Sequence, residues 1–189
     1  ASRAFWPRPP GPSSWCASRR HLLVLFAELT RDVLGRVELV RGRHVVLAEG
    51  RLEGVERPVE RRRPGWSRGP VVVVCGKGNN GGDGFVVARL LARQGWPVTV
   101  ALLSSPDTLQ GDAQRAFRDL PTDSIRIVEL QTPDVLKALV QGAEVVVDAI
   151  LGTGLRGAPQ PPMSWAIETL NASRVPIVAV DVPSGLDDA

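Results

Sequence analysis

The sequence has few of the residues that build disulfide frameworks and zinc sites. Its 189 residues include two cysteines, Cys16 and Cys75, and two histidines, His21 and His44. Two cysteines cannot form a disulfide framework, so a reducing compartment and a cytoplasmic protein are the default expectation. No Cys/His cluster has the ligand spacing of a zinc site, and the two histidines are isolated in the sequence. Small disulfide-stabilised and zinc-stabilised domains are therefore excluded.

Long hydrophobic runs are also lacking. No apolar run approaches the roughly 20 residues that a membrane-spanning helix needs, so no membrane association is expected. Hydrophobic residues make up 43% of the chain and charged residues 23%. This composition is typical of a globular protein and excludes a wholly disordered chain or a collagen. The length suits one domain of ordinary size.

Acidic residues are scarce in the first third of the chain. Residues 1–70 carry 14 basic residues, all arginine, and 7 acidic residues, a net charge of +7, whereas residues 71–189 carry 9 basic and 13 acidic residues, a net charge of −4. The arginines are scattered among proline, glycine and tryptophan, with one short cluster at Arg61, Arg62 and Arg63. This pattern falls short of a nucleic-acid-binding patch, so we expect no nucleic-acid partner.

The composition divides the chain into an atypical Arg/Pro-rich segment at residues 1–68 and a domain at residues 69–189. The first 20 residues contain four prolines and no acid, which predicts an irregular, poorly ordered N-terminal extension. Apolar residues between His21 and Val37 have helical spacing. Val37–Val40 and His44–Ala48 are consistent with a short β-hairpin.

Residues 71–189 alternate between apolar β-type runs and segments with helical apolar spacing. The predicted strands are Val71–Cys75, Val98–Leu103, Ile125–Leu130, Glu144–Ile150 and Pro176–Val182. The predicted helices are Phe85–Gln94, Leu109–Leu120, Pro133–Val140 and Met163–Ala172. This alternation predicts right-handed crossovers and a mostly parallel sheet between two layers of helices, the α/β three-layer sandwich.

Three polar, glycine-rich segments follow the first, fourth and fifth of these strands. Their sequences are GKGNNGGDG, DAILGTGLRG and DVPSGLD. Ligands bind outside the carboxyl ends of parallel strands, so the three segments predict one binding rim. Its polar candidates are Asn79, Asn80, Asp83, Asp148, Asp181 and Ser184. The glycines of a loop over Gly76–Gly84 permit close backbone approach, and a helix starting near Gly82 would direct free N–H groups at an anion.

The first segment contains a literal G-x-G-x-x-G over Gly76–Gly81. A dinucleotide-binding fingerprint also expects an acid at the end of the second strand. Here that strand ends in Leu102–Ser105 and the nearest acid is Asp107, which disfavours a conventional dehydrogenase. Lys77 does not create a P-loop, because the G-K-[ST] ending is absent.

Two aspartates, Asp148 and Asp181, stand at strand ends after apolar runs. A carboxylate there is costly unless it is paired or bound to a cation, although aspartate also caps the elements that follow such strands. Oxygen donors from Asn80, Asp148 and Ser184 would suit a hard cation. Cys75 is expected to be a small buried hydrophobe and not a nucleophile, because no histidine accompanies it in this half.

Together, VVVVCGKGNNGGDGFVVARLLARQGWPVTV, VVVDAILGTGLRG and VAVDVPSGLD resemble the YjeF N-terminal domain family, the NAD(P)HX epimerases, over about residues 69–187. The segment QGDAQ at Gln110–Gln114 also fits. The resemblance implies a Rossmann-like fold and a homodimer. It also implies an isomerase that interconverts the R and S epimers of NADHX and NADPHX in metabolite repair.

The resemblance further implies a set of site residues. The substrate loops would fall on Asn79, Asn80, Gly81, Gly82 and Asp83, and on Gly152, Thr153, Gly154, Leu155, Arg156, Gly157 and Ala158. Asp181 would contact the substrate and act as the catalytic acid–base residue. One potassium ion per subunit would be held by Asn80, Asp148 and Ser184. No redox cofactor is implied, because the damaged nicotinamide nucleotide is the substrate.

The resemblance implies a partner and also shows two departures. The partner is an ADP/ATP-dependent NAD(P)HX dehydratase, fused or separate. The family's opening helices have no counterpart in residues 1–68, and the family continues with strands beyond Ala189, so we expect a domain that is incomplete at its C-terminus. Two alternatives stay open: a non-catalytic nucleotide-binding or protein-interaction module of the same fold, and an inactive fragment of the epimerase.

Overall fold

One mostly parallel sheet organises the protein. The computed structural model describes residues 35–39, 44–49, 69–154 and 157–185, the first two ranges as backbone only. The strands are β1 (Gly35–Leu39), β2 (His44–Glu49), β3 (Val71–Cys75), β4 (Val98–Leu102), β5 (Ile125–Glu129), β6 (Val145–Ala149) and β7 (Ile177–Ala179). Their order across the sheet is β1-β2-β7-β6-β3-β4-β5. β1 and β2 pair antiparallel, and every other neighbouring pair is parallel.

Four α-helices of the described residues lie on the two faces of this sheet. They are α1 (Asn79–Arg93), α2 (Gly111–Arg118), α3 (Pro133–Gln141) and α4 (Met163–Ala172). One face of the sheet packs against α1 and α2, and the other packs against α3 and α4. The predicted α/β three-layer sandwich is confirmed.

Burial on both faces explains why the sequence of the central strand β3 is a continuous apolar run. Successive strand residues point to opposite faces, and Val71, Val73 and Cys75 join the core beneath α1. Val72 and Val74 join the core beneath α3 and α4. Since helices cover both faces, every residue of β3 is buried, as is typical of a parallel sheet.

The prediction of a loop over Gly76–Gly84 is wrong. The loop is three residues long, and α1 begins at Asn79, since Gly82 N–H donates to the Gly78 carbonyl at 3.1 Å. Glycine propensity favoured a loop, but these glycines serve packing within the helix. A Cβ atom at Gly84 would lie 2.6 Å from the Ala149 Cβ. The helix end was predicted correctly, because Gly95 adopts φ 80° beyond the last turn.

The predicted hairpin in the first third of the chain is confirmed at the level of backbone. β1 and β2 pair antiparallel with Gly35 opposite Glu49, and β2 joins the main sheet with His44 opposite Ile177. The helix predicted from His21 lies mostly outside the described residues, and its last positions belong to β1. Within the described ranges, no helix combines the length and apolar character needed to cross a membrane.

Candidate active site

A cleft of about 1010 Å³ opens at the carboxyl ends of β3, β4, β6 and β7. From β3 the chain proceeds through β4 to β5 on one side and then returns to β6 and β7 on the other. The boundary between β3 and β6 is therefore a topological switch point, where two successive crossovers lead away in opposite directions. Open α/β sheets bind ligands at such a point.

The floor of the cleft is built from the β3–α1 turn and the end of β6. Gly76 N–H donates to the Ala149 carbonyl at 3.0 Å. Any side chain at Gly76 would collide with the Ile150 carbonyl, and one at Gly81 would collide with the Gly76 carbonyl. Glycine is thus required at both positions because backbone packs directly on backbone.

Asn80 lies in the first turn of α1 and lines the cleft. Its side-chain oxygen and nitrogen are both buried and have no hydrogen-bond partner among the described residues. A buried amide without partners is costly. The amide can therefore take an ordered water, an ion or a ligand as its partner.

Asp148 and Ser184 form a buried pair that joins the second and third glycine-rich segments. Each side chain is 1% exposed. Ser184 Oγ donates to Asp148 Oδ1 at 2.6 Å, and Ser184 N–H donates to Asp148 Oδ2 at 2.8 Å. Ile150 N–H donates to Asp148 Oδ1 at 3.2 Å, and Leu151 N–H donates to Ser184 Oγ at 2.9 Å. These bonds fix the backbone of both segments around one carboxyl group.

Burial controls the ionisation of two side chains beneath the cleft. Burial raises the pKa of Asp148, and the hydrogen bonds from Ser184 and Ile150 lower it by a smaller amount. Burial also raises the pKa of the Cys75 thiol far above its ordinary value, and the nearby Asp148 charge adds to this shift. Cys75 therefore stays a thiol at neutral pH, and its expected role as a small buried hydrophobe is supported.

Asp181 lies above this pair, on the surface of the cleft. Its Oδ2 accepts a hydrogen bond from Thr153 N–H at 2.9 Å. A Cβ atom at Gly152 would lie 2.7 Å from the same oxygen and 3.6 Å from Asn80 Cβ. Asp181, Gly152 and Asn80 are thus near neighbours although they come from three separate segments. The carboxylate is half-buried, held in place by the backbone and open to a ligand.

The structure brings together most of the residues that the sequence placed on this rim. The residues that line the cleft are Asn79, Asn80, Asp83, Gly152, Thr153, Gly154 and Asp181. Gly81 and Gly82 are buried within α1, and Asp148 and Ser184 lie beneath the cleft wall. Gly157 and Ala158 are exposed outside its lining. Leu155 and Arg156 lie outside the described residues.

Three residues near the end of β4 line the cleft but were not predicted from the sequence. Ser104, Ser105 and Thr108 line the cleft where β4 ends, and the Thr108 hydroxyl donates to the Ser105 carbonyl at 2.7 Å. The sequence shows that no acidic residue directly follows β4. It did not predict that the neutral hydroxyl residues at this position would line the cleft. Lys77 also lines the cleft, and its position between two glycines was the available signal.

The donor set around Asn80 and Asp148 fits a hard monovalent cation. Asn80 offers an unpartnered amide oxygen, Asp148 a carboxylate and Ser184 a hydroxyl. All are oxygen donors, which hard cations prefer. A cation would also favour the ionised form of Asp148, which burial alone disfavours. The assignment of these three residues to a potassium ion stays a prediction.

The sheet order and the position of the cleft define a Rossmann-like α/β protein with a ligand site at its switch point. The chain belongs to the family described as YjeF-related protein N-terminus, whose model matches residues 61–189. This match extends beyond the predicted range of 69–187 at both ends and confirms the resemblance stated from the sequence.

Two curated relatives carry functional names. The chain is similar to a bifunctional NAD(P)H-hydrate repair enzyme of Hyperthermus butylicus, with 50% identity over 123 residues that cover 62% of this chain and 22% of that protein. It is also similar to an NAD(P)H-hydrate epimerase of Pirellula staleyi, with 42% identity over 120 residues, 62% of this chain and 53% of the relative. The chain thus matches from about a fifth to about half of the length of these relatives.

A solved structure supports the fold. The crystal structure of the yeast protein YNL200c aligns with 93% of this chain and 65% of its own chain, at a TM-score of 0.57 and 22% sequence identity. At this identity the likeness bears on the fold alone.

Proposed function

We propose that this chain is an isomerase, an NAD(P)H-hydrate epimerase that interconverts the R and S epimers of NADHX and NADPHX. The names of the curated relatives support this reaction. The observation that carries it is the Asp181 carboxylate, fixed by Thr153 N–H and facing the cleft beside Asn80 and Gly152.

Asp181 would supply the acid–base chemistry. The hydrated carbon of the substrate bears a hydroxyl group and the ring nitrogen, so its inversion requires proton movement and no net oxidation. A carboxylate that contacts the substrate can take the hydroxyl proton as the carbon–nitrogen bond breaks to give an aldehyde, and pass it to the departing nitrogen. The nitrogen then adds to the other face of the aldehyde and the proton returns to the oxygen, which inverts the carbon. Thr153 N–H would hold Asp181 in position, and the shallow wall at Gly152 leaves space for the ring.

A potassium ion is part of this proposal. Asn80, Asp148 and Ser184 would hold it, and it would supply a fixed positive charge close to the substrate. The unpartnered amide of Asn80 supports this assignment. Asp148 would also position the second and third segments through its bonds with Ser184.

We also propose a partner enzyme, an oligomeric state and a cellular location for this chain. Because a relative of this chain is named a bifunctional repair enzyme, we infer that a NAD(P)HX dehydratase, fused or separate, uses the S epimer. A homodimer and a cytoplasmic location agree with repair of a soluble nucleotide. The nucleotide is the substrate, so no separate redox cofactor is required.

The test is exchange between the R and S epimers of NADPHX on the purified chain. We expect catalysed exchange in potassium chloride and a large loss of rate in choline chloride. The variant Asp181→Asn keeps an acceptor for Thr153 N–H but removes the acid–base group, so exchange should fall by about 100-fold or more while NADPHX still binds.

The matched control is Asp123→Asn. Asp123 is exposed near the amino end of β5, at the opposite edge of the sheet from the cleft. Its exchange rate should equal that of the wild-type chain. Unchanged turnover in Asp181→Asn would refute the catalytic assignment. A folded wild-type chain that binds NADPHX without exchanging it would favour the non-catalytic module.

A further inference from the structure

Lys77 is the single positively charged side chain among the described residues that line the cleft. The other charged lining residues are Asp83 and Asp181. The described lining therefore carries one positive and two negative charges. A dinucleotide brings a pyrophosphate, with two further negative charges, into this acidic surface. A positively charged side chain beside the phosphates would offset this repulsion.

The side chain of Lys77 is free to meet that need. It is exposed, and it makes no ion pair or hydrogen bond with the described part of the chain. Lysine carries a compact charge on a flexible four-carbon stem, which reaches a phosphate without a fixed geometry. Gly76 and Gly78 flank it, so neither of its neighbours along the chain carries a side chain that could crowd it.

The backbone beside Lys77 is also suited to a phosphate. No side chain of the described residues caps the amino end of α1, and the first turn of the helix has no acidic residue. The first hydrogen bond of α1 runs from Gly82 N–H to the Gly78 carbonyl. The preceding N–H groups of residues 79–81 therefore lack partners within the helix. Free N–H groups and the helix dipole favour an anion at this end. The Asn80 amide in the same turn, which is buried without a partner among the described residues, shows that this end of α1 can also take a partner from outside the chain.

We propose that Lys77 is a substrate-binding residue that pairs with the phosphates of the nucleotide at the amino end of α1. The identity of the ligand rests on the function proposed above. Lys77 sits in the β3–α1 turn, whereas the acid–base residue Asp181 lies beyond β7. We therefore assign Lys77 to binding the phosphates and not to the chemical step.

The chain offers an unusually clean test, because Lys77 and Lys137 are its two lysines. Lys137 is exposed on α3, outside the lining of the cleft. The experiment compares the wild-type chain, Lys77→Gln, Lys77→Arg and the control Lys137→Gln. Binding of ADP-ribose, which retains the pyrophosphate and lacks nicotinamide, is measured by calorimetry at low and high salt. Adenosine serves as the probe without phosphate.

We expect Lys77→Gln to weaken ADP-ribose binding by about tenfold at low salt, and by less at high salt, because salt screens an exposed charge pair. Its adenosine affinity should not change. Lys77→Arg should stay within about twofold of wild type, since the charge is kept. In epimer exchange, Lys77→Gln should raise KM by a similar factor and leave kcat unaltered. Lys137→Gln should match wild type throughout.

Equal ADP-ribose affinity for Lys77→Gln and the wild-type chain would overturn the assignment, and epimer exchange by the wild type would then leave the proposed function intact. Weakened ADP-ribose binding without any exchange by the wild type would support the role of Lys77 and remove the proposed epimerase. A wild-type chain that binds no ADP-ribose would overturn the assignment of Lys77, while epimer exchange would still decide the proposed function. Lys77 makes no ion pair or hydrogen bond within the described part of the chain, so a melting curve equal to wild type checks that the variant is folded.

Discussion

At the scale of single residues, Asp148 links the stability of the protein to pH. Burial raises its pKa above the ordinary value of 3.8, so the folded protein keeps this proton to higher pH than the unfolded chain does. The stabilisation from protonated Asp148 is complete below pH 3.8 and is lost as pH rises through the folded-state pKa. Without a cation, Asp148 therefore destabilises the fold at neutral pH.

A potassium ion bound beside Asp148 should offset this loss. We expect potassium chloride, compared with choline chloride, to raise the melting temperature by about 3 °C at pH 8, and the increment should shrink as pH is lowered and Asp148 takes up a proton. Thermal unfolding followed by circular dichroism measures it. In Asp148→Asn the increment should vanish at every pH. An increment in Asp148→Asn equal to that of the wild-type chain would contradict the assignment.

The positions of the cleft residues Asp148, Asp181 and Ser184 were predicted from the sequence, but their contacts were not. Strand ends after apolar runs placed Asp148, Asp181 and Ser184 on one rim, because parallel strands share a carboxyl edge. The sequence could not indicate which of these residues faces the cleft and which is buried beneath it. Asp148 lies beneath the cleft and accepts two hydrogen bonds from Ser184, whereas Asp181 faces the cleft and is held by Thr153. That difference depends on tertiary packing between segments about 30 residues apart.

At the scale of elements, α1 shows a conflict between propensity and packing. Glycine in a helix interior costs about 1 kcal/mol relative to alanine, and this cost produced the mistaken loop prediction. Propensity alone therefore predicts that Gly84→Ala stabilises α1. However, a Cβ atom there would lie 2.6 Å from Ala149 Cβ and 2.9 Å from Cys75 Sγ, so the helix can approach β3 and β6 only without it.

We expect Gly84→Ala to lower the free energy of unfolding by about 1–3 kcal/mol, the usual cost of overpacking a core. The matched control is Gly78→Ala at the amino end of the same helix. Gly78 has φ −89° and no atom within 4 Å of an added Cβ, so its stability should change by less than about 0.5 kcal/mol. Urea unfolding measures both, and a stable Gly84→Ala variant would show that α1 can shift away from the sheet.

At the scale of the whole molecule, the sheet order decides which chemistry surrounds the cleft. β3 stands between β4 and β6, so a ligand at the amino end of α1 has Asp148 and Asp181 on one side and the end of β4 on the other. Rossmann dehydrogenases place an acid after the corresponding strand, where it binds the ribose hydroxyls. Here Ser104, Ser105 and Thr108 line that side, and none of them carries a charge.

The described lining on this side has no carboxylate that would repel the 2′-phosphate of NADPHX, so we expect both hydrates to be substrates. The variant Ser105→Asp should make the chain discriminate against NADPHX in favour of NADHX. A like charge near the 2′-phosphate should lower kcat/KM for NADPHX about tenfold relative to NADHX. Ser105→Asn adds similar bulk without charge and should treat the two hydrates alike. Equal losses for both hydrates in Ser105→Asp would mean that the ribose lies elsewhere, since charge repulsion requires the phosphate to be close to this end of β4.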